Sequence, residues 1–482
     1  MQFATITRIL GLLIMVFSLT MIPPSIVALI YQDGGGSAFV LTFFLTIIFG
    51  FIIYFPKRRA KSELKVRDGF LVVVLFWTVL SLMGSVPFLL MNTIEMSLAD
   101  SVFEAFSGLT TTGATVISGL DTLPHSILYY RQQLQWLGGM GIIVLAVAIL
   151  PMLGIGGMQL YRAETPGPMK DNKLTPRIAG TAKALWYIYL GLTIACGVSY
   201  WLAGMTPFDA LAHSFSTVAI GGFSPHDASI GYFDSASIEL IASLFMLLSG
   251  VNFSLHFMVV RRLSLTPYFK DPEFRSYLVM LVSITLICLT VLLAYNRFDF
   301  SEGLVKSIFH TVSIATTTGF ASSDFSAWPS FLPVLLILTS FAGACAASTG
   351  GGIKIIRIVL LFKQGFREIK RLVHPTGVFL IKLGKTSVSD RVVQAVWGFF
   401  ATYVMLFLIL MILLMANGID QITAFSAVAA CLNNLGPGLG EVAVNYSGLN
   451  DFTKYILSFA MLLGRLEIFT LLVLFTPYFW RR

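Results

Sequence analysis

Ten stretches of this chain are apolar over about the 20 residues that a helix needs to cross a bilayer, and no other feature constrains its fold as tightly. They cover 8–31, 38–56, 70–92, 127–153, 184–204, 236–260, 276–296, 331–349 (running on towards 362), 393–416 and 455–477. Only 12% of the residues are Asp, Glu, Lys or Arg, about half the share of a soluble domain. So few charges cannot solvate a surface of this size, and a soluble globular fold is excluded. The first stretch carries Arg8 and has no small-x-small cleavage pattern before Gln32, so it reads as a retained helix and not as a signal peptide. Cys196, Cys288, Cys345 and Cys431 lie in apolar or small-residue runs without CxxC spacing, and the six histidines form no HExxH pattern. The cysteines read as buried thiols, and no soluble-type metalloenzyme site is visible.

The charges give the orientation. Lys57–Asp68 holds Lys57, Arg58, Arg59, Lys61, Lys65 and Arg67, and cytoplasmic loops are rich in such residues. Placing this loop inside puts both termini inside, together with 154–183, 261–275, 350–391 and 478–482. With Arg8, the inner set then holds 27 of the 32 Lys and Arg. Only Arg131, Arg297, Lys306 and Lys454 fall outside, and Arg465 lies within a span. Acidic residues are distributed the other way, 8 inside and 15 outside, so the net charge of +8 is a separation across a membrane. The nucleic-acid reading of a basic chain is removed. Outer acids such as Asp121, Asp227, Asp324 and Glu441 concentrate cations on the outside.

Four outer segments, Asp100–Ser118, Phe208–Pro225, Gly303–Ser322 and Ile419–Leu439, are too apolar and too long for plain loops. Aligned on one glycine they read SVFEAFSGLTTTGAT, ALAHSFSTVAIGGFS, SIFHTVSIATTTGFA and AFSAVAACLNNLGPG. The glycines are Gly113, Gly222, Gly319 and Gly436, spaced by 109, 97 and 117 residues, and Ser107, Ser216, Ser313 and Ala430 stand six residues before them. Each unit reads as helix, half-helix of about 12 residues, glycine turn and second helix. A half-helix of that length cannot span. It dips in and returns, which is tolerated only when it is buried in protein or lines a watery path.

The fold class that follows is an all-α polytopic membrane protein. It has four membrane–pore-helix–membrane repeats around a pseudo-fourfold axis, about 10 transmembrane helices and 4 re-entrant half-helices. The units are an N-terminal pair, 1–68, and repeats 69–180, 181–270, 271–391 and 392–482. Glycine turns at the axis let carbonyls point inward and replace an ion's water shell. The half-helix C-termini add partial negative charge. This suits a desolvated monovalent cation and gives an anion no site. One TTTG alone would read as a packing glycine; four registered copies point to a filter.

Two further features sit at membrane depth. The run Ala342–Lys354, with Gly343, Ala344, Ser348, Thr349, Gly350, Gly351 and Gly352, interrupts a helix with residues that disfavour one. It reads either as a kink or close helix contact, or as a flexible loop that blocks and opens a pore, with Lys354 as an anchor. Arg465, in LLGRLEIF, lies near mid-span. It is either half of a buried ion pair with another helix or a positive charge that faces the pore and raises the barrier to cations. Glu467, two residues on, points to another helix face and is no direct partner.

The turns TTTGAT, AIGGFS, TTTGFA and NLGPGL resemble those of the Trk/Ktr/HKT superfamily of potassium transport proteins. The likeness runs over essentially the whole chain and is nearest to the TrkH branch, which carries the extra N-terminal helix pair. The resemblance implies a potassium filter at Gly113, Gly222, Gly319 and Gly436, with carbonyls from Thr111, Thr112, Ile220, Gly221, Thr317, Thr318, Asn434 and Leu435. Sodium-admitting members often carry serine at the first glycine, so Gly113 implies K+ and Rb+ over Na+. Asn434-Leu435-Gly436-Pro437 departs from the threonine pattern. The resemblance further implies an intramembrane gate loop at 343–354, a basic residue at position 465, a homodimer in the bacterial inner membrane, and a cytosolic TrkA-type nucleotide-binding ring subunit. GIGGMQL at 154–160 is no Rossmann fingerprint, so nucleotide sensing belongs to a partner and K+ is the cargo, with no organic cofactor on this chain. The main alternative is a K+/H+ or K+/Na+ symporter with alternating access. Such transporters favour inverted repeats, whereas these four run parallel, and the spans lack a row of acids for a proton relay. An intramembrane enzyme would need a nucleophile–base pair or a metal cluster, and none is evident.

Overall fold

The computed structural model describes residues 1–60, 62, 64–91, 93–149, 178–384 and 386–481. The inner stretch expected at 154–183, with its GIGGMQL run, lies outside the described residues up to 177. The chain is mostly helical. Among the described residues, six helices are long and apolar enough to cross a membrane: Phe3–Tyr31, Gly36–Lys57, Arg67–Leu90, Lys183–Leu202, Pro272–Ala294 and Asp390–Ala416. Their outward faces are apolar, as Leu29, Leu202 and Val279 illustrate.

Three of the expected spans are not continuous helices. The stretch 236–260 forms Ala236–Ser249 and Phe253–Arg262, bent by 96°, and 455–477 forms Asp451–Arg465 and Phe469–Phe475, bent by 106°. The stretch from 331 stops at Ala342 and resumes as Ile355–Val373. Two of the breaks have a visible backbone feature. Asn252 caps the helix that follows it, and Glu467 and Ile468 both adopt positive φ, +54° and +53°, which ends an α-helix. The span expected at 127–153 is helical over His125–Ile149, with non-helical backbone at Gly141. Among the described residues the helices are joined by one short antiparallel hairpin, Lys382–Leu383 against Thr386–Ser387, with Lys382 opposite Ser387.

The N-terminal pair packs through small residues. A methyl on Gly11 would lie 2.8 Å from the Gly50 carbonyl, and one on Gly50 would lie 2.9 Å from that of Gly11, so the two helices cross backbone to backbone. Arg8 donates to the Ala60 carbonyl at 2.7 Å, and Arg67 donates to that of Arg481 at 2.6 Å. Both chain ends therefore meet the basic loop after residue 57 on one side of the molecule.

The four half-helices are Leu98–Leu109, Pro207–Ala219, Phe300–Ala315 and Gln421–Leu432. Each starts after a capping type of residue: Ser97, Thr206, Asp299 or Asp420. Ser97, Thr206 and Asp420 accept backbone N–H groups of the first turn, which satisfies donors that a helix start leaves open.

Candidate functional site

All four half-helices end in the same way. The N–H groups of Thr112, Gly221, Thr318 and Leu435 donate to the carbonyls of Ser107, Ser216, Ser313 and Ala430 at 2.7–2.9 Å. Those acceptors are the residues aligned six before the glycine. Thr111, Ile220, Thr317 and Asn434 donate three residues back, to Gly108, Thr217, Ile314 and Cys431. This is the six-to-one plus five-to-two pattern of a Schellman ending, whose turn residue is left-handed and usually glycine. Here it is Thr111, Ile220, Thr317 or Asn434, with φ of +56°, +55°, +68° and +55°. A left-handed non-glycine residue costs about 1–2 kcal/mol, so each filter-like strand holds strain that its surroundings must offset.

The aligned glycines follow, with φ of +81°, +78°, +83° and +99°. A methyl on Gly113 would lie 2.1 Å from the Gly221 carbonyl oxygen, one on Gly222 2.0 Å from that of Thr318, and one on Gly319 2.1 Å from that of Leu435. On Gly436 it would lie 2.7 Å from the Thr112 carbonyl. Each glycine thus abuts the carbonyl before the glycine of the next unit, and the fourth returns to the first. The order 1-2-3-4-1 closes a ring. The residue before each glycine is buried, while Gly113, Gly222, Gly319 and Pro437 are partly exposed and Gly436 is buried.

Two ring carbonyls already accept a side-chain bond. Gln135 Nε2 donates to Gly221 O at 2.6 Å, and the Tyr446 hydroxyl donates to Gly436 O at 2.7 Å. A carbonyl has two lone pairs, so neither bond removes its oxygen as a ligand. Asn434, the residue that departs from the threonine pattern, donates from Nδ2 to Thr112 Oγ1 at 3.0 Å and to Met461 O at 2.9 Å. Its side chain ties strand four to strand one.

Behind the ring lies a layer of residues that the sequence reading missed. Nine residues before the glycine stand Glu104, His213, His310 and Ala427. Glu104 accepts from the Thr115 hydroxyl and from Arg131 Nε at 2.8 Å. His213 Nε2 is 3.0 Å from Ser224 Oγ, and His310 Nε2 is 3.1 Å from Ser323 Oγ. In three units a polar side chain on the half-helix therefore holds the strand that leaves the glycine. The signal was present: a carboxylate and two imidazoles share one register in otherwise apolar segments. Three glutamines in the expected span 127–153 were a second signal.

The interruption at 343–354 is a closed loop. Its neck is tied by Ile353 N to Phe341 O at 2.9 Å and by Ile355 N to Ala344 O at 3.2 Å. Methyls on Gly343 and Gly352 would collide with the Gly351 and Ser340 carbonyls, at 2.3 and 2.5 Å. Inside the loop, Ser348 Oγ donates to Cys345 O at 2.6 Å, and Lys354 donates to Gly350 O. The loop rests against the C-terminal ends of three half-helices. Thr349 Oγ1 donates to Val218 O at 3.0 Å, Gly351 N to Thr317 Oγ1 at 2.7 Å, and Gly352 N to Asn433 O at 3.1 Å. A methyl on Gly351 would lie 1.9 Å from Asn433 O. Cys345 N donates to Gly250 O at 2.9 Å, so the bend in the second unit receives the loop.

Arg465 reaches the same place. Its guanidinium donates to Thr111 Oγ1 and Thr349 O, both at 3.2 Å, and to the carbonyls of Gly138 and Gly139. It also lies over the Trp77 ring. These contacts join the base of strand one, the loop and the second helix of the first unit. Glu467, in the turn that follows the helix Asp451–Arg465, pairs with Arg357 at 2.6 Å. Among the described residues no three His, Cys, Asp or Glu side chains converge. The acceptors offered to a cation at the ring are backbone and hydroxyl oxygens.

Comparison with known proteins gives one consistent outcome. Residues 35–481 match the TrkH family model, described as a cation transport protein. The chain is 60% identical over 484 residues to the Trk system potassium uptake protein TrkH of Vibrio parahaemolyticus, with 100% of each chain covered. It is 57% identical over 482 residues to the TrkH protein of Escherichia coli, again over the whole of both. It is 42% identical to the TrkG protein of Escherichia coli, over 99% of this chain and 98% of the relative. The crystal structure of the potassium transporter TrkH from Vibrio parahaemolyticus superposes with a TM-score of 0.91 and covers both chains completely.

Proposed function

The chain belongs to the TrkH family of cation transport proteins, and on that premise we propose that it carries potassium into the cell through a gated, K+-selective pore. The family is one of transport subunits, not of enzymes. The protein sits in the bacterial inner membrane with both termini cytoplasmic, works as a homodimer, and is controlled by a cytosolic TrkA-type subunit. The observation that carries the reading is the closed ring of four positive-φ glycines, each against the carbonyl of the next unit.

The physical steps follow from that ring. Outer acids raise the local cation concentration. An ion at the ring exchanges water for carbonyl oxygens of Thr111, Thr112, Ile220, Gly221, Thr317, Thr318, Asn434 and Leu435. The aligned C-terminal ends of four half-helices favour a positive charge there. Below the ring, the 343–354 loop obstructs the exit and Arg465 opposes a second cation. Opening requires the loop to leave Thr317, Asn433 and Val218, and the partner subunit supplies the differential binding that drives it. The architecture proposed is four repeats, 69–180, 181–270, 271–391 and 392–482, after the N-terminal unit 1–68, with ten membrane crossings when the bent and interrupted helices are counted as one each.

The deciding experiment is a recording from the purified protein with its regulatory subunit in a planar bilayer under bi-ionic K+ and Na+. Discrete current steps that reverse toward the K+ equilibrium potential are expected. Smooth uptake without steps, reversing with a proton or sodium gradient, would replace the pore by a symporter.

A further inference from the structure

The second strand of the ring is built differently from the first and third. In those two, threonines three and one residues before the glycine share a hydrogen bond, Thr110 with Thr112 and Thr316 with Thr318, both at 2.8 Å. The earlier hydroxyl of each pair also donates to a carbonyl of the half-helix, Phe106 O or Val312 O. The strand is thereby braced from within. In the second unit the same positions are Ala219 and Gly221, which have no hydroxyl to offer.

Gln135 occupies that vacancy from another unit. It is fully buried on the helix His125–Ile149 of the first repeat. Nε2 donates to Gly221 O at 2.6 Å, and Oε1 accepts from Phe223 N at 3.0 Å. The two bonds bracket Gly222, the ring glycine. The amide orientation is fixed by these partners, since a carbonyl needs a donor and an N–H needs an acceptor. A methyl on Gly221 would lie 2.4 Å from Gln135 Cδ and 2.5 Å from Oε1. The glutamine therefore fills the space that a threonine side chain fills in strands one and three. On the same helix face, Gln132 accepts from Ser216 Oγ at 2.6 Å and Arg131 donates to Ser224 O at 3.0 Å. The helix His125–Ile149 thus grips the end of the second half-helix and the strand that follows it.

We propose that Gln135 is a positioning residue for ion selection: it supplies from the first repeat the brace that the second strand lacks, and it explains why that strand reads AIGG where two others read TTTG. The proposal rests on the filter reading of the ring. Gln135 touches no ion; it acts by fixing the Gly221 carbonyl and the Gly222 turn.

The test uses the full chain with its regulatory subunit in proteoliposomes and reads the K+-to-Na+ permeability ratio beside the melting temperature. Gln135→Ala is expected to lower the ratio about tenfold, the effect of roughly 1.4 kcal/mol on one ion relative to the other, while flux persists. Gln135→Met, which keeps the volume without the polar atoms, gives the same readout should the alanine variant not fold. The triple variant Gln135→Ala, Ala219→Thr, Gly221→Thr rebuilds the internal brace and is expected to recover most of the lost ratio. A folded Gln135 variant with an unchanged ratio overturns the proposal, as does a triple variant no better than Gln135→Ala. Gly222→Ala, run in parallel, separates this from the underlying reading: if it too leaves flux and ratio unchanged, the ring is not the filter.

Discussion

A glycine in the ring is required by two independent facts, its backbone angle and the carbonyl of its neighbour. At Gly319 a methyl would stand 2.1 Å from Leu435 O and 2.6 Å from Pro437 Cδ, and neither atom can swing away as a flexible side chain would. Gly319→Ala is expected to reduce potassium uptake by more than about tenfold, with a left-handed alanine adding about 1 kcal/mol of strain. Growth on limiting potassium of a bacterium lacking its own uptake systems, with immunoblots for membrane content, checks it; wild-type growth would detach the ring from transport. A second residue-scale effect lies in the loop that follows Gly222. His226 Nδ1 meets Asp121 at 2.5 Å and Nε2 meets Asp209 at 3.1 Å, with Tyr232 stacked on the ring. Burial disfavours the charged imidazole, but the two carboxylates outweigh it and hold the His226 pKa above its usual value. His213 is the other imidazole facing it. A raised folded-state pKa contributes stability that is complete below the ordinary value of about 6.5 and is lost as pH rises through the raised value. The melting temperature of the wild type in detergent is therefore expected to fall through that window, and that of His226→Gln to change less. Parallel curves would exclude the histidine as the titrating group.

At the scale of elements, the loop at 343–354 and the broken last helix form one assembly, because Arg465 donates to Thr349 O while its neighbour Glu467 holds Arg357 on the helix that leaves the loop. Arg465→Ala removes a charge beneath the ring and one tether of the loop, and both changes act in the same direction. Basal K+ flux in proteoliposomes is expected to rise several-fold. Unchanged or lower flux from a folded variant would assign Arg465 to scaffolding alone. The half-helices and their glycines were legible in the sequence because four copies share one register, and a shared register survives substitution of any single residue. The bends after Ser249 and Arg465 were not legible. Leu466-Glu467-Ile468 carries neither glycine nor proline, yet two residues there have positive φ, beside the tertiary contact of Arg357 with Glu467. The Gln135 brace was hidden for a related reason: its partner lies 86 residues away in another repeat, and no spacing within either segment reports it.

Over the whole molecule, the exceptions to the charge rule explain how the four units are joined. Three of the four basic residues expected on the outside are buried against a carboxylate: Arg131 with Glu104 at 2.8 Å, Lys306 with Glu239 at 2.7 Å, and Lys454 with Asp100 at 2.6 Å. Each is locally neutral and so does not oppose the topology expected from the sequence. Each also ties neighbouring units. Lys454 of the fourth holds Asp100 of the first, Lys306 of the third holds Glu239 of the second, and Arg131 of the first reaches Ser224 O of the second. The third and fourth meet through Asn433 and Ser340 at 2.9 Å. The glycine ring is thus encircled by polar ties that a lipid-facing helix packing would not supply by itself. Removing one member of a buried pair leaves the other charge without its counter-ion, at about 3–5 kcal/mol, whereas replacing both leaves no stranded charge. Lys306→Met is therefore expected to lower the melting temperature markedly, and Lys306→Met with Glu239→Gln to recover much of the loss. If the pair only stabilises, the double variant keeps the wild-type permeability ratio as well. If instead the tie sets the spacing of strands two and three, the double variant folds but discriminates K+ from Na+ less well, and the geometry of the ring is then shown to depend on how its units are clasped from outside.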